Sequence, residues 1–256
     1  MLRVMSFNAN GIRSAVQKGF WDWFIQQNVD ILCVQELKAQ EVDLAKMEFT
    51  GNYQGYFHCA QRKGYSGCAI WTRQEPVAVR YGFGVPEFDQ EGRYVEARFD
   101  DFIVISVYFP SGSMNEDRQA SKFRFLDAFY PHLQTLKQQD KEIIICGDVN
   151  IAHQNIDLKN WKGNQNSSGF LPEERQWLTK VFLDLGWVDV FRYLEPQKEQ
   201  YTWWSHRGQA RAKNVGWRID YHVATLKIAQ RARCASVYAD EKFSDHAPLW
   251  IDYEWK

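Results

Sequence analysis

The chain carries far more strand-forming segments than helices to pair with them. Apolar or alternating runs of five to eight residues occupy positions 2–8, 30–35, 53–60, 67–72, 94–99, 102–109, 142–146, 218–224 and 249–253. Alternation and β-branched or aromatic enrichment suit a pleated, half-buried backbone. Helical periodicity is confined to three stretches. One covers residues 14–27. A second opens at Ser113-x-x-Glu116, a capping-box spacing, and places Leu126, Phe129, Leu133 and Leu136 on one face, with Pro131 expected to kink or divide it. The third has Pro172 in its first turn, Trp177, Leu178, Val181, Phe182 and Leu185 on one face, and Gly186 at its end. A doubly wound sheet needs a helix after nearly every strand, and too few are present. The pattern predicts an α/β fold with two sheets packed face to face and helices outside.

No repeat, low-complexity block or Pro/Gly/Ser linker interrupts residues 1–256, so a single domain is expected. With 45% hydrophobic and 16% aromatic residues the chain can bury a sizeable core, which excludes wholesale disorder. A formal net charge of −1 gives no global attraction to polyanions, so any nucleic-acid site must be a local patch. Cys33, Cys59, Cys68, Cys146 and Cys234 are odd in number and lack a C-x-x-C spacing, and Cys33 and Cys146 lie inside apolar runs. Buried free thiols of this kind belong to a reducing compartment. The N-terminal MLRVMSFNANG lacks the apolar length of a signal peptide, and no stretch reaches the ~18 apolar residues of a membrane span. A soluble, cytoplasmic monomer that engages no membrane is expected.

Polar side chains gather where the strands end. VMSFNANG runs into Asn8 and Asn10, ILCVQELK presents Glu36, and VISVYFPSG closes on Tyr108 before Pro110 and Gly112. IIICGDVNIAH delivers Asp148 and Asn150, two positions apart and therefore on one face of an extended chain. WRIDYHV sets Asp220 inside an apolar strand, and FSDHAPLWIDY offers Asp245 and His246 just before Pro248. Singly, each is ordinary: Asp and Asn form turns, tyrosine packs in cores, and a His beside an Asp is usually a surface pair. Jointly they suit phosphodiester hydrolysis. Glu36 and Asp245 could supply hard oxygen ligands to a divalent cation. The asparagines and the Tyr108 hydroxyl can donate to phosphate oxygens. Asp148 could orient or deprotonate water, and His246, held in one tautomer by a neighbouring carboxylate, could donate to the phosphate. Zinc is disfavoured because no H-E-x-x-H or cysteine cluster exists, and thiol catalysis because the thiols sit in apolar runs.

Seven motifs, in the order SFNANGIR, VQELK, GYSGCAIWTR, VYFPSG, CGDVNIAHQNIDLKNWKGN, NVGWRIDYH and FSDHAP, resemble those of the exonuclease III family of abasic-site (AP) endonucleases. The resemblance spans residues 2 to 253. It implies a DNase I-like four-layer α/β sandwich, two packed mixed β-sheets flanked by helices. It also implies dependence on Mg²⁺ or Mn²⁺, and cleavage of duplex DNA on the 5′ side of abasic sites with 3′→5′ exonuclease or 3′-end trimming activity. The expected partner is duplex DNA with abasic sites or blocked 3′ ends. Carried over by motif, Glu36 is the principal metal ligand with Asn8 and Asp245 nearby, and a second ion would involve Asp148, Asn150 and His246. Asp148 activates or orients water, Asn150 supports the transition state, Tyr108 contacts the phosphate, and His246 pairs with a buried acid, assigned to Asp220. Asn10 stands where some members carry aspartate, and Val149 where a larger apolar residue is common.

Residues 202–219, TWWSHRGQARAKNVGWRI, combine Arg207, Arg211, Lys213 and Arg218 with Trp203, Trp204 and Trp217 and contain no acid. Cations neutralise phosphates and aromatic faces accept unstacked sugars or bases. A second acid-free stretch, KNWKGNQNSSG at 159–169, contains Asn164. By the resemblance, Trp203, Trp217 and Ile219 line a pocket for the flipped-out abasic sugar and Arg207 probes the duplex; Arg13, Lys38, Asn164, Arg211 and Lys213 complete the expected DNA-binding set. Two other readings compete. Catalytically silent regulators in the family have lost the residues that Glu36, Asp148, Asn150, Asp245 and His246 retain here. Phosphodiesterases acting on phosphoinositide or sphingomyelin would not need GWRIDY or a basic, Trp-rich loop.

Overall fold

The computed structural model describes residues 1–47, 51–113 and 115–255. Two mixed six-stranded sheets form the centre. The first, in spatial order β11-β12-β1-β2-β4-β3, contains β1 (Leu2–Asn8), β2 (Ile31–Gln35), β3 (Gln54–His58), β4 (Cys68–Thr72), β11 (Ala232–Val237) and β12 (Leu249–Tyr253). The second, in order β5-β6-β7-β8-β10-β9, contains β5 (Ala78–Tyr81), β6 (Tyr94–Arg98), β7 (Phe102–Tyr108), β8 (Glu142–Asp148), β9 (Val188–Asp189) and β10 (Asp220–Ala224). The helices are α1 (Ile12–Gln17), α2 (Phe20–Gln26), α3 (Glu41–Leu44), α4 (Pro86–Asp89), α5 (Glu116–Lys137), α6 (Pro172–Leu183), α7 (Val190–Leu194) and α8 (Leu226–Gln230).

Strand alternation sorts the apolar residues into layers. Val4, Ile31, Cys33, Ile70, Val104, Ile144, Cys146 and Ile251 meet between the sheets. Their neighbours one residue along point outward. Met5, Phe7, Leu32 and Val34 pack under Phe20, Trp21 and Phe24 of α2, while Ile103, Ile105, Ile143 and Ile145 pack under Phe125, Phe129 and Leu133 of α5 and Leu178 and Val181 of α6. The result is helix, sheet, sheet, helix.

Several local expectations are corrected. Residues 14–27 do not form one helix: Gly19, at φ 88°, breaks the path between α1 and α2. Pro131 does not divide α5, which runs unbroken through it; Pro131 and Asp127, whose carbonyl it deprives of a partner, both lie on the exposed face, where the carbonyl is open to solvent. The N-cap of α5 is Asn115, whose side chain accepts from the Arg118 amide at 2.9 Å, and not Ser113. Leu185 lies beyond the end of α6. β8 runs on through Asp148, and β10 begins at Asp220, two residues later than the expected Arg218, so Asp220 is its first residue. β5, β9 and β11 were not expected from pattern. All three are sheet edges, short or half-exposed, where one-sided burial no longer imposes alternation.

Candidate active site

Parallel pairing of β1 with β2 and of β7 with β8 brings four strand C-termini to one end of the sandwich. There the layer between the sheets changes character. Ser6 donates to Gln35 Oε1 at 3.3 Å, Gln35 Nε2 to Ser106 Oγ at 3.0 Å, and Ser106 Oγ to the Val34 carbonyl at 3.1 Å, a polar shelf closing the apolar core. Immediately beyond it sit Asn8, Glu36, Tyr108 and Asp148. Register supplies the rest: Asp148 pairs with Tyr108 of β7 on one side and with Asp220 of β10 on the other. Asp245 and His246, ahead of β12, complete the ring from the first sheet.

The backbone at this mouth is strained. Asn10, Glu36, Lys38 and Asn150 all have left-handed φ, between 44° and 55°. Non-glycine residues hold that conformation only where surrounding bonds over-determine it, which is common at functional sites. Here the Glu36 carbonyl accepts from Gly11 N at 2.8 Å and Leu37 N reaches the Gly67 carbonyl at 3.0 Å.

Asn8 Nδ2 bridges the two central acids, donating to Asp148 Oδ2 at 2.8 Å and to Glu36 Oε1 at 2.9 Å. Asp148 Oδ1 accepts from Asn150 N at 2.8 Å, and Asn150 Nδ2 donates to the Phe109 carbonyl at 3.0 Å. His246 Nδ1 lies 2.9 Å from Asp220 Oδ2, with its Nε2 3.8 Å from Asp148 Oδ2. Burial, reinforced by Asp220 and Glu36 against the pull of His246, pushes the Asp148 carboxyl up to about 8. Burial alone would lower His246, but Asp220, with Asp148 and Asp245, carries it up to about 10 and keeps it an imidazolium. Asp245 is half-buried, which would raise it, yet His246 and hydrogen bonds from Asn10, Trp203 and Ser244 hold it down to about 2. Burial and the nearby Glu36 raise the Tyr108 phenol, leaving it a neutral donor.

Glu36, Asp148 and His246 each present an atom within 4.8 Å of the others, a geometry that could hold a metal ion through the two carboxylates, with His246 offering a lone pair only when neutral. Three residues expected near a metal are turned differently. The Asn8 oxygen accepts from Asn10 N at 2.9 Å, so its N–H, not its oxygen, faces the acids. Asn150 also presents its Nδ2 there, at 3.2 Å from Asp148 Oδ2. Asp245 is engaged by Asn10 Nδ2 at 2.9 Å and Trp203 Nε1 at 3.0 Å and lies beside the cluster.

A cleft of about 830 Å³ contains Glu36, Tyr108, Asp148, Asn150, Asp245 and His246 together with Trp203, Trp217 and Ile219. The two indoles meet edge-on at 6.3 Å, and Ile219 packs behind them with Phe170 and Leu158. A short ladder holds them, in which Trp203 and Trp217 exchange backbone hydrogen bonds of 2.9 Å and Thr202 Oγ1 accepts from Ile219 N and Asp220 N at 3.2 Å. Of the basic residues expected to meet DNA, Arg13, Arg207 and Lys213 are exposed. Lys38 is tied to Glu36 Oε2 at 2.9 Å. Arg211 turns inward over Trp204 and donates to the carbonyls of Ser244, Ala239 and Glu241 at 3.0–3.2 Å. Arg218 is wholly buried between Asp157 and Asp189, so it cannot contact a phosphate. Asn164 closes a turn on the Asn160 carbonyl at 2.8 Å, outside the cleft wall; Asn166, Ser167, Ser168 and Gly169 form that wall instead. Lys122 lies buried just behind the cleft wall, where it donates to the Asn150 carbonyl; sequence reasoning missed it, although a lysine on the Leu126–Phe129–Leu133 stripe of a helix was a visible signal.

The sequence profile of the endonuclease/exonuclease/phosphatase family matches residues 5–246. The chain is 41% identical to an exodeoxyribonuclease of Bacillus subtilis, over 97% of this chain and 98% of that one. It is 35% identical to a DNA-(apurinic or apyrimidinic site) endonuclease of Dictyostelium discoideum, over 98% and 70% of the respective chains. An AP endonuclease structure from Archaeoglobus fulgidus superposes with a TM-score of 0.89 at 30% identity, covering 100% of both chains.

Proposed function

The chain belongs to the endonuclease/exonuclease/phosphatase family, in its exonuclease III branch, and from that premise we propose that its cleft hydrolyses the phosphodiester 5′ of abasic sites in duplex DNA and trims 3′ ends. One observation carries this reading: the Glu36–Asp148–His246 cluster and the Trp203–Trp217–Ile219 pocket open into the same cleft. The donor set fits a hard divalent cation, Mg²⁺ or Mn²⁺, because the carboxylate oxygens of Glu36 and Asp148 converge on one point; Asp148 is raised by burial foremost and by Asp220 and Glu36 after it. Glu36 and Asp148 would hold the ion, with Asp245 alongside. When bound, such an ion would supply positive charge that favours the Asp148 carboxylate and polarises the scissile phosphate.

The remaining work falls to the chain. Asp148 orients a water and accepts its proton, held by Asn8 Nδ2 and Asn150 N. His246, kept cationic by Asp220, and the neutral Tyr108 phenol donate to the non-bridging phosphate oxygens. Trp203, Trp217 and Ile219 receive a sugar that lacks its base, whereas an intact nucleotide must first be unstacked at a cost of a few kcal/mol. Arg13, Arg207 and Lys213, all exposed, neutralise flanking phosphates. No helix among the described residues is long and apolar enough to cross a membrane. The free cysteines support a reducing, cytoplasmic setting, and we infer that the enzyme acts as a monomer.

The test is a duplex oligonucleotide with one abasic analogue beside the same duplex intact, each with Mg²⁺ or EDTA. A single cut leaving a 3′ hydroxyl, only with the abasic site and Mg²⁺, is expected. Equal internal cutting of the intact duplex, or cutting in EDTA, would refute the proposal.

A further inference from the structure

Lys122 lies on the apolar face of α5 with no exposed surface, and the catalytic steps make no use of it. Burying an ammonium is costly unless it is paired and fully hydrogen-bonded, so its partners are informative. Nζ sits 2.7 Å from Glu174 Oε1, in the first turn of α6 and equally buried, and donates to the backbone carbonyl of Asn150 at 2.8 Å. Glu174 is saturated as well: Oε1 also accepts from Gln119 Nε2 at 2.9 Å, and Oε2 accepts from Gly169 N at 2.6 Å and Leu171 N at 3.1 Å. The pair therefore grips two things that face substrate, the left-handed Asn150 and the 166–169 wall of the cleft.

The fit at that point is close. Gly169 has φ 89°, and a Cβ there would lie 2.9 Å from the Asn150 carbonyl oxygen and 3.2 Å from Trp217 Cζ3. The Gly169 carbonyl in turn accepts from Ala152 N at 2.8 Å. Joining α5 to α6 does not require an ion pair. Leu126, Phe129, Leu178 and Val181 share one apolar cluster, and Trp177 Nε1 donates to the Leu126 carbonyl at 3.0 Å.

We propose that the buried Lys122–Glu174 pair is a positioning device for catalysis, fixing the Asn150 carbonyl so that its carboxamide and amide stay against Asp148 while the tryptophan pocket keeps its wall. This rests on the proposed function. Lys122 touches no reacting atom and acts through Asn150, so its loss should lower turnover while leaving DNA affinity nearly intact.

Two variants test it beside the wild type on the abasic duplex. Lys122→Met combined with Glu174→Gln removes both charges, leaves no lone buried ion, and deletes the bond to the Asn150 carbonyl. A misplacement near 1 Å can cost ~10²-fold, so kcat should fall by about 10- to 100-fold with KM within about 3-fold. The assigned Asn150 side-chain amide resonances should move. Leu178→Ala instead thins the α5–α6 packing and leaves every bond of the pair in place, so it should lower Tm while kcat stays within about 3-fold of wild type. Unchanged kcat in the double variant, equal losses in both variants, or a double variant that does not fold would each overturn the claim and leave the pair a core element. The Asn150 resonances are read without substrate, so unmoved resonances refute the clamp, whereas a wild type inert on abasic DNA refutes the function it serves.

Discussion

Replacing Arg218 with methionine separates structure from DNA contact within the basic 202–219 stretch. The guanidinium is fully buried, with Nε 2.8 Å from Asp157 Oδ1 and one terminal nitrogen 2.6 Å from Asp189 Oδ2, and it stacks over Tyr221 at 4.4 Å. Burial would raise Asp157, but Arg218 foremost and Arg192 with it hold its carboxyl at about 2 against a usual 3.8. At ~1.4 kcal/mol per pKa unit that depression is about 2 kcal/mol of stability. It is fully present above the unfolded value near 3.9 and is lost as pH falls through the folded one. Methionine fills much of the volume but leaves two carboxylates with fewer partners, and breaking a buried pair costs roughly 3–5 kcal/mol. Arg192 still reaches Asp157, so the lower end, about 3 kcal/mol, applies. For a chain of this size that corresponds to a Tm lower by about 6–12 °C. Urea melts at neutral pH read the stability, and band shifts at several salt concentrations read DNA contact. The slope of log affinity against log salt should match wild type. Unchanged stability with a slope shallower by about 0.9, one phosphate's worth, would refute the assignment.

Glu36→Ala should lower cleavage chiefly by weakening the cation, so excess Mg²⁺ or Mn²⁺ restores part of the rate, and Mg²⁺ should raise the Tm of wild type more than that of the variant. Undiminished activity at low metal would remove Glu36 from the ligand set. Trp217→Ala should lower the rate at an abasic site at least ~10-fold more than it lowers 3′ trimming, where fraying already frees the nucleotide; equal losses would make Trp217 packing alone. Arg211→Ala should loosen the loop that carries Ser244 and lower Tm, with little change in the salt slope of DNA binding, and a shallower slope at unchanged Tm would return Arg211 to the phosphate contacts.

Much of this site was visible in sequence because catalysis sets polar groups where a strand pattern leads elsewhere. Asn8, Glu36, Tyr108, Asp148, Asp220, Asp245 and His246 all stood out at strand ends, and the structure gathers them into one cleft mouth. What pattern could not supply was partner geometry. Arg207 and Arg218 look alike in a basic stretch, yet Arg218 is drawn inside by Asp157, 61 positions away, which no local signal announces. The same limit applies to Asn8 and Asn150, whose nitrogens rather than oxygens face the acids, an orientation decided by Asn10 N and the Phe109 carbonyl. Strands β5, β9 and β11 escaped because edge strands need bury only one side, if any. Lys122 and Glu174 were legible as charges on apolar helical stripes, but only the fold shows that both converge on Asn150.

The most direct measurement is single-turnover cleavage of an abasic duplex by Asp148→Asn at saturating Mg²⁺, with Kd measured on the same duplex by band shift. The substitution keeps the size of the side chain and one of its two acceptor contacts, to Asn8 Nδ2 or to Asn150 N, but cannot take a proton from water. If Asp148 directs the attacking water, the rate falls by ~10²-fold or more while Kd stays within about 3-fold of wild type. A rate that is unchanged, or that falls only in proportion to lost binding, would contradict the account.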